Sequence, residues 1–192
     1  MAIIILQTLI NAPIGRCFDL ARSIDLHLQS MKSSCEEAIA GRQSGLINLN
    51  ETVTWKASHF NMNFTMKIKI TAMKSPQFFI DEMVSGPFKK LHHQHKFRSF
   101  GTQIEMTDIF EFIAPTGILG RFVTWLILEK YMRKLLIERN KTIRAAAKKG
   151  QTKKPWDIAQ GFLLFFYFFV VYKITKLISF TCLFWWHVIY GY

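Results

Sequence analysis

Between Thr52 and Phe112 the chain alternates apolar and polar residues with period two, in five runs separated by turn residues. Alternation of this kind places successive side chains on opposite sides of an extended backbone. Breaks at Gly86-Pro87 and Phe100-Gly101 turn the runs into an antiparallel meander with one apolar and one wet face. Val53, Trp55, Ala57 and His59 share the inner face in the first run, and Met62, Phe64, Met66, Ile68 and Ile70 in the second. Phe79, Asp81 and Met83 follow, then Leu91, His93, His95 and Phe97, then Ile104, Met106, Asp108, Phe110 and Phe112. His92, Gln94, Lys96 and Arg98 fall on the outer face of the fourth run. Three histidines and two aspartates therefore point inward, where charge does nothing for solubility.

The flanks complete an α+β pattern. Ala2 to Ile10, rich in Ile and Leu, reads as a buried first strand and not a signal peptide, since it lacks a basic leader and a small-residue cleavage site. Asn11 is a candidate helix cap and Pro13 suits a first helical turn. Ile14, Cys17, Phe18 and Ala21 recur at helical spacing. The pattern predicts two short helices that break near residues 23–26 and end before Ser33. Glu37 to Gly41 is a short strand and residues 41–50 a loop. After Pro115 and Gly117, residues 119–147 form one long amphipathic helix lying over the open face of the sheet. Phe122, Trp125, Leu126, Leu128 and Leu136 are its candidates for burial, and Arg133, Lys134, Arg139 and Lys141 for solvent.

The order strand, two short helices, six strands, long helix resembles the helix-grip fold of the START / Bet v 1-like superfamily, and most closely its polyketide-cyclase-like SRPBCC branch. The residues that carry the resemblance are Ala12-Pro13-Ile14 with Phe18-Asp19, Glu37 to Gly41, Val53-Thr54-Trp55 with His59-Phe60, Asp81 to Phe88 with its Gly86-Pro87-Phe88 turn, His93-Gln94-His95-Lys96-Phe97 and Thr107-Asp108. Asn61 departs from it, standing where a glycine is usual. The resemblance implies a curved seven-stranded antiparallel sheet gripping the long helix, with a cavity for a hydrophobic or amphipathic small molecule between them. It implies a pocket more strongly than a reaction, and it names no cofactor.

Trp55, His59, Phe64, Asp81, His93, His95, Met106, Asp108 and Phe110 are the candidate ligand-binding residues, because all share the inward parity. A turn centred on Phe100-Gly101 places His93 opposite Asp108 and His95 opposite Met106. A carboxylate beside an imidazole fixes its tautomer and favours its charged form. Three readings of the polar cluster stand side by side: a structural network, a group that meets the polar end of an apolar ligand, and a metal or acid/base site with His93 and Asp108 as the catalytic candidates. His93-x-His95 on a strand puts two imidazoles on one side, as some zinc and iron sites require. That spacing alone is a weak signal, so no metal is assigned. No convincing nucleophile shares the face.

The chain has 192 residues and a formal net charge of +12. After residue 147 there are six lysines against one acidic residue, Asp157. No zinc-finger spacing or glycine-aromatic repeat accompanies the excess, which speaks against nucleic acid as a partner. The three cysteines, Cys17, Cys35 and Cys182, are too few and too scattered for a disulfide framework, so a reducing compartment is expected. Domain boundaries follow: residues 1–147 the ligand-binding domain, 148–157 a basic linker, 158–192 a hydrophobic tail. In the tail, residues 161–172 and 177–192 carry no charge, and Lys173 and Lys176 interrupt them. One transmembrane helix over 156–178 is expected, with both lysines reaching the far interface. The clustered linker lysines would keep the folded domain cytoplasmic. Interfacial insertion and an unselected extension are the alternatives.

Overall fold

The structure is a computed structural model that describes residues 1–32, 35–59, 62–114 and 128–149. Seven strands form one antiparallel sheet: β1 (Ala2–Ile10), β2 (Glu37–Gly41), β3 (Thr52–His59), β4 (Met62–Lys74), β5 (Phe78–Ser85), β6 (Lys90–Phe100) and β7 (Gln103–Ile113). Their order is β1-β7-β6-β5-β4-β3-β2. Each of β3 to β7 pairs with its chain neighbour, as a meander requires, and β1 closes onto β7. Register shifts at Ala38/Ala40, Lys67/Ile68 and Ile70/Ala72 bend the sheet. The concave face takes α1 (Ile14–Ala21), α2 (Ile24–Ser30) and α3 (Glu129–Lys149). This is the α+β helix-grip architecture that the order of elements implies.

Period-two burial holds where the sheet is deep. On β6 Leu91, His93, His95 and Phe97 are buried, and on β7 Ile104, Met106, Asp108, Phe110 and Phe112. The first strand differs from expectation: only one of its faces is buried, and Ile3, Ile5 and Leu9, which point to the other face, are exposed. Met62 is exposed too, at the end of β4. Ser23 caps α2, its Oγ accepting from Leu26 N–H. At α1 the cap position is Pro13, without a side-chain bond, and not Asn11. Gly41, at φ 75°, closes β2 so tightly against Thr52 that a Cβ there would meet the Thr52 carbonyl.

Helix α3 is fixed by two reciprocal arginines. Arg16 of α1 donates to the Ala146 and Ala147 carbonyls at the C-terminal turn of α3. Arg139 of α3 donates to the Ala21 carbonyl at the end of α1. Both neutralise carbonyls that a helix end leaves unpaired. The described helix runs to Lys149, and the expected segment at 119–127, with Phe122, Trp125 and Leu126, lies outside the described residues. So does the tail; among the described residues no helix is long and apolar enough to cross a membrane. The chain divides into units 1–150 and 151–192.

Candidate functional site

The inward polar residues come together on three neighbouring strands. Asp81 on β5 lies opposite His93, and His95 on β6 lies opposite Asp108 on β7. The register differs by two residues from the expected one, since Phe100 pairs with Gln103 around a Gly101-Thr102 turn, with Gly101 at φ 57°. A shift of two keeps every side chain on its face. The cluster therefore survives, but His93 reaches Asp108 diagonally and faces Phe110 across the ladder, while Met106 faces Phe97.

Asp108, with no solvent exposure, is the hub. His95 Nδ1 donates to its Oδ1 at 2.6 Å and His93 Nε2 donates to the same oxygen at 3.2 Å. Asn140 Nδ2 donates to Oδ2 at 2.7 Å and also to Thr8 Oγ1 at 3.2 Å. His95 Nε2 donates to Asp81 Oδ1 at 3.0 Å. Because both His95 nitrogens face carboxylate oxygens, both carry protons and the ring is an imidazolium. Its face stacks on Phe79, with ring centres 4.2 Å apart.

The electrostatics follow from this wiring. Burial disfavours charge on His95 and Arg139 adds repulsion, yet hydrogen bonds to Asp108 and Asp81 prevail and raise its pKa. His93 goes the other way, to about 4, through burial and then the neighbouring His95 charge. Burial works against ionising both carboxylates. It is outweighed at Asp108 by the two histidine hydrogen bonds, which hold it well below the usual range. At Asp81, the neighbouring His93 and His95 imidazoles, the His95 hydrogen bond and Arg139 do the same. Two carboxylates thus balance His95 and Arg139, and His93 stays neutral.

Asn140 is not among the residues singled out from sequence, and Arg139 was expected in solvent. It is 6 % exposed. Its Nη1 lies 3.7 Å from Asp108 Oδ1 and has no hydrogen-bond partner among the described residues. The helical spacing of Leu136, Arg139, Asn140, Ile143 and Ala147, all buried, was the available signal. Charge at one of these positions concealed it.

A cavity of about 150 Å³ opens between the sheet and α3. Asp81, His93, His95 and Arg139 form its polar part; Trp55, Ile68, Ile70, Phe79, Phe110, Met132 and Leu136 are among its apolar walls. His27, stacked on Trp55 and bonded to Glu36, adds a second polar wall that sequence reading missed. A second cavity of about 270 Å³ is lined by Phe64, Phe88, Leu128 and Tyr131, and shares Glu36, Trp55, Met66 and Met132 with the first. Of the expected ligand residues, Trp55, Asp81, His93, His95 and Phe110 line the first cavity and Phe64 the second. Asp108 stands behind the wall and Met106 is packed in the core with no exposure. The His59 side chain lies outside the described residues.

No protein-family model and no curated protein matches the sequence. Solved structures do match. The solution structure of KanY is similar over 77% of this chain and 97% of its own, at 13% identity and a TM-score of 0.61. TTHA0849 from Thermus thermophilus aligns over 76% of this chain and 99% of its own, at 16% identity and a TM-score of 0.58. The ginseng major latex-like protein 151 from Panax ginseng aligns over 76% and 97%, at 14% identity and a TM-score of 0.53. The chain therefore has the helix-grip fold of these solved structures.

Proposed function

We propose that the chain captures a hydrophobic or amphipathic small molecule, lipid- or polyketide-like, between the sheet and α3, with the polar end of the ligand at Asp81, His93 and Arg139. The observation that carries this reading is the pairing of an apolar cavity with a nearly buried Arg139 Nη1 that no described residue accepts from. A buried donor without an acceptor costs about 1–3 kcal/mol, so a ligand oxygen placed there gains what the free protein lacks. The shared walls of the two cavities give an apolar body room to extend from Phe79 toward Phe64 and Phe88. Native mass spectrometry of the purified chain tests it: a retained apolar molecule with an oxygen-bearing head is expected. A ligand-free spectrum together with no saturable binding of decanoate overturns it.

An enzymatic reading, a cyclase- or hydrolase-like reaction with His93 as base and Asp108 as its orienting group, draws on their 3.2 Å contact. A pKa near 4 makes His93 a weak base at neutral pH, since an effective base titrates near the working pH. Binding without turnover is therefore the preferred reading. The basic linker and apolar tail support tethering of a cytoplasmic domain to a membrane. Fractionation of cells expressing the full chain, and of cells expressing residues 1–150, checks the tether: the first is expected with membranes and the second without. A full chain that stays out of the membrane fraction removes it.

A further inference from the structure

We propose that Asp81, His93 and His95 bind one divalent transition-metal ion at the inner end of the cavity, with Asp108 orienting both imidazoles from behind. The site shares the cavity with the ligand reading and does not depend on it. One ligand atom from each of the three residues lies within 4.8 Å of the other two. Asp81 Oδ1 is 3.0 Å from His95 Nε2 and 3.8 Å from His93 Nδ1. An ion with bonds of about 2.1 Å holds tetrahedral ligands roughly 3.4 Å apart, so the first two separations bracket the requirement and a small rotation of the His93 ring supplies the rest.

The surroundings distinguish this group from an ordinary ion-pair cluster. The far nitrogens, His93 Nε2 and His95 Nδ1, both donate to Asp108 Oδ1. That fixes each ring so that its other nitrogen faces Asp81, the arrangement by which an outer carboxylate orients metal-binding histidines. Asp108 is itself held by Asn140 from α3. The three ligand residues line the cavity and Asp108 does not, so coordination positions beyond the third open toward the cavity. Arg139 also lines that cavity. Two nitrogens and one carboxylate suit zinc or iron(II) and not calcium or magnesium, which take oxygen ligands. In the metal-free protein a proton on His95 Nε2 bridges to Asp81; the ion takes the place of that proton.

The test uses the purified full-length chain in mild detergent, stripped with a chelator and titrated with Zn²⁺ by calorimetry and with Co²⁺ by visible absorption. One ion per chain is expected, with cobalt bands of a mixed nitrogen and oxygen donor set. D81N and H95Q should each weaken binding by about 100-fold or more, and H92Q, on the outer face of the same strand, should not. D108N, which removes no ligand, should weaken binding about 10–100-fold. If H95Q fails to fold, D81N carries the test, because Asp81 sits at the partly exposed wall. No saturable binding, or binding that D81N leaves unchanged, overturns the proposal. Decanoate binding by the stripped chain is followed in parallel, so that loss of the metal site and loss of the ligand site are read separately.

Discussion

Asp108→Asn removes one negative charge from the hub of the network and leaves its shape intact. The aspartate accepts from His93, His95 and Asn140 and lies 3.7 Å from Arg139, with no exposure to water. The new amide oxygen can still accept from both imidazoles. Its nitrogen faces Asn140, whose Oδ1 has no partner among the described residues and can turn to accept from it. Hydrogen bonding is therefore largely conserved, and the loss is electrostatic: His95 and Arg139 are left to Asp81 alone. Breaking a buried pair costs about 3–5 kcal/mol, and the conserved bonds put this case at the lower end. For a chain of this size about 3 kcal/mol corresponds to a melting temperature lowered by roughly 6–12 °C. Urea and thermal unfolding followed by circular dichroism read it directly. H95Q in the D108N background should cost less than H95Q alone, by about 1–3 kcal/mol, because the two share one interaction. A D108N protein within about 0.5 kcal/mol of the parent, the range of an ordinary surface change, would refute the charge-balanced network.

Further outcomes follow from the same structure. With a chelator present, stability should peak around pH 6.5. His93, depressed to about 4, loses the folded state up to about 3 kcal/mol as pH falls from 6.5 toward 4. His95, raised, contributes below 6.5 and loses that contribution as pH rises through its folded value; urea midpoints flat from about pH 4.5 to 8.5 would contradict both. Arg16→Gln should cost about 1–2 kcal/mol by freeing the Ala146 and Ala147 carbonyls, with amide exchange fastest in the last turn of α3. Arg139→Gln should weaken decanoate more than decanol, and equal losses would deny it a role at the head of the ligand.

The sheet was legible because period-two alternation is a local signal and the turns after β4, β5 and β6 carry glycine or proline. Parity alone put Asp81, His93, His95 and Asp108 on one face, and any even register keeps them there. Which histidine meets Asp108 across the ladder was not legible, because it depends on whether the last hairpin turns at Phe100-Gly101 or Gly101-Thr102. Arg139 was misplaced for a different reason: charged residues are seldom buried, and its partners, the Ala21 carbonyl and Asp108, are distant in sequence. Met106 and Phe64 share a face yet part company, one in the core and one at a cavity. Core and cavity wall look alike until the packing of α3 decides between them.

The central claim is that a ligand enters between sheet and α3, and the methionines report on it. All eight lie in residues 1–132, none in the tail. Met66 and Met132 line both cavities and Met31 the first, while Met106 is packed in the core. Methyl-labelled methionine NMR of the full chain titrated with decanoate should shift Met31, Met66 and Met132 saturably and leave Met106 in place. Shifts confined to the exposed Met1 and Met62, or no shift at all, would contradict a ligand cavity.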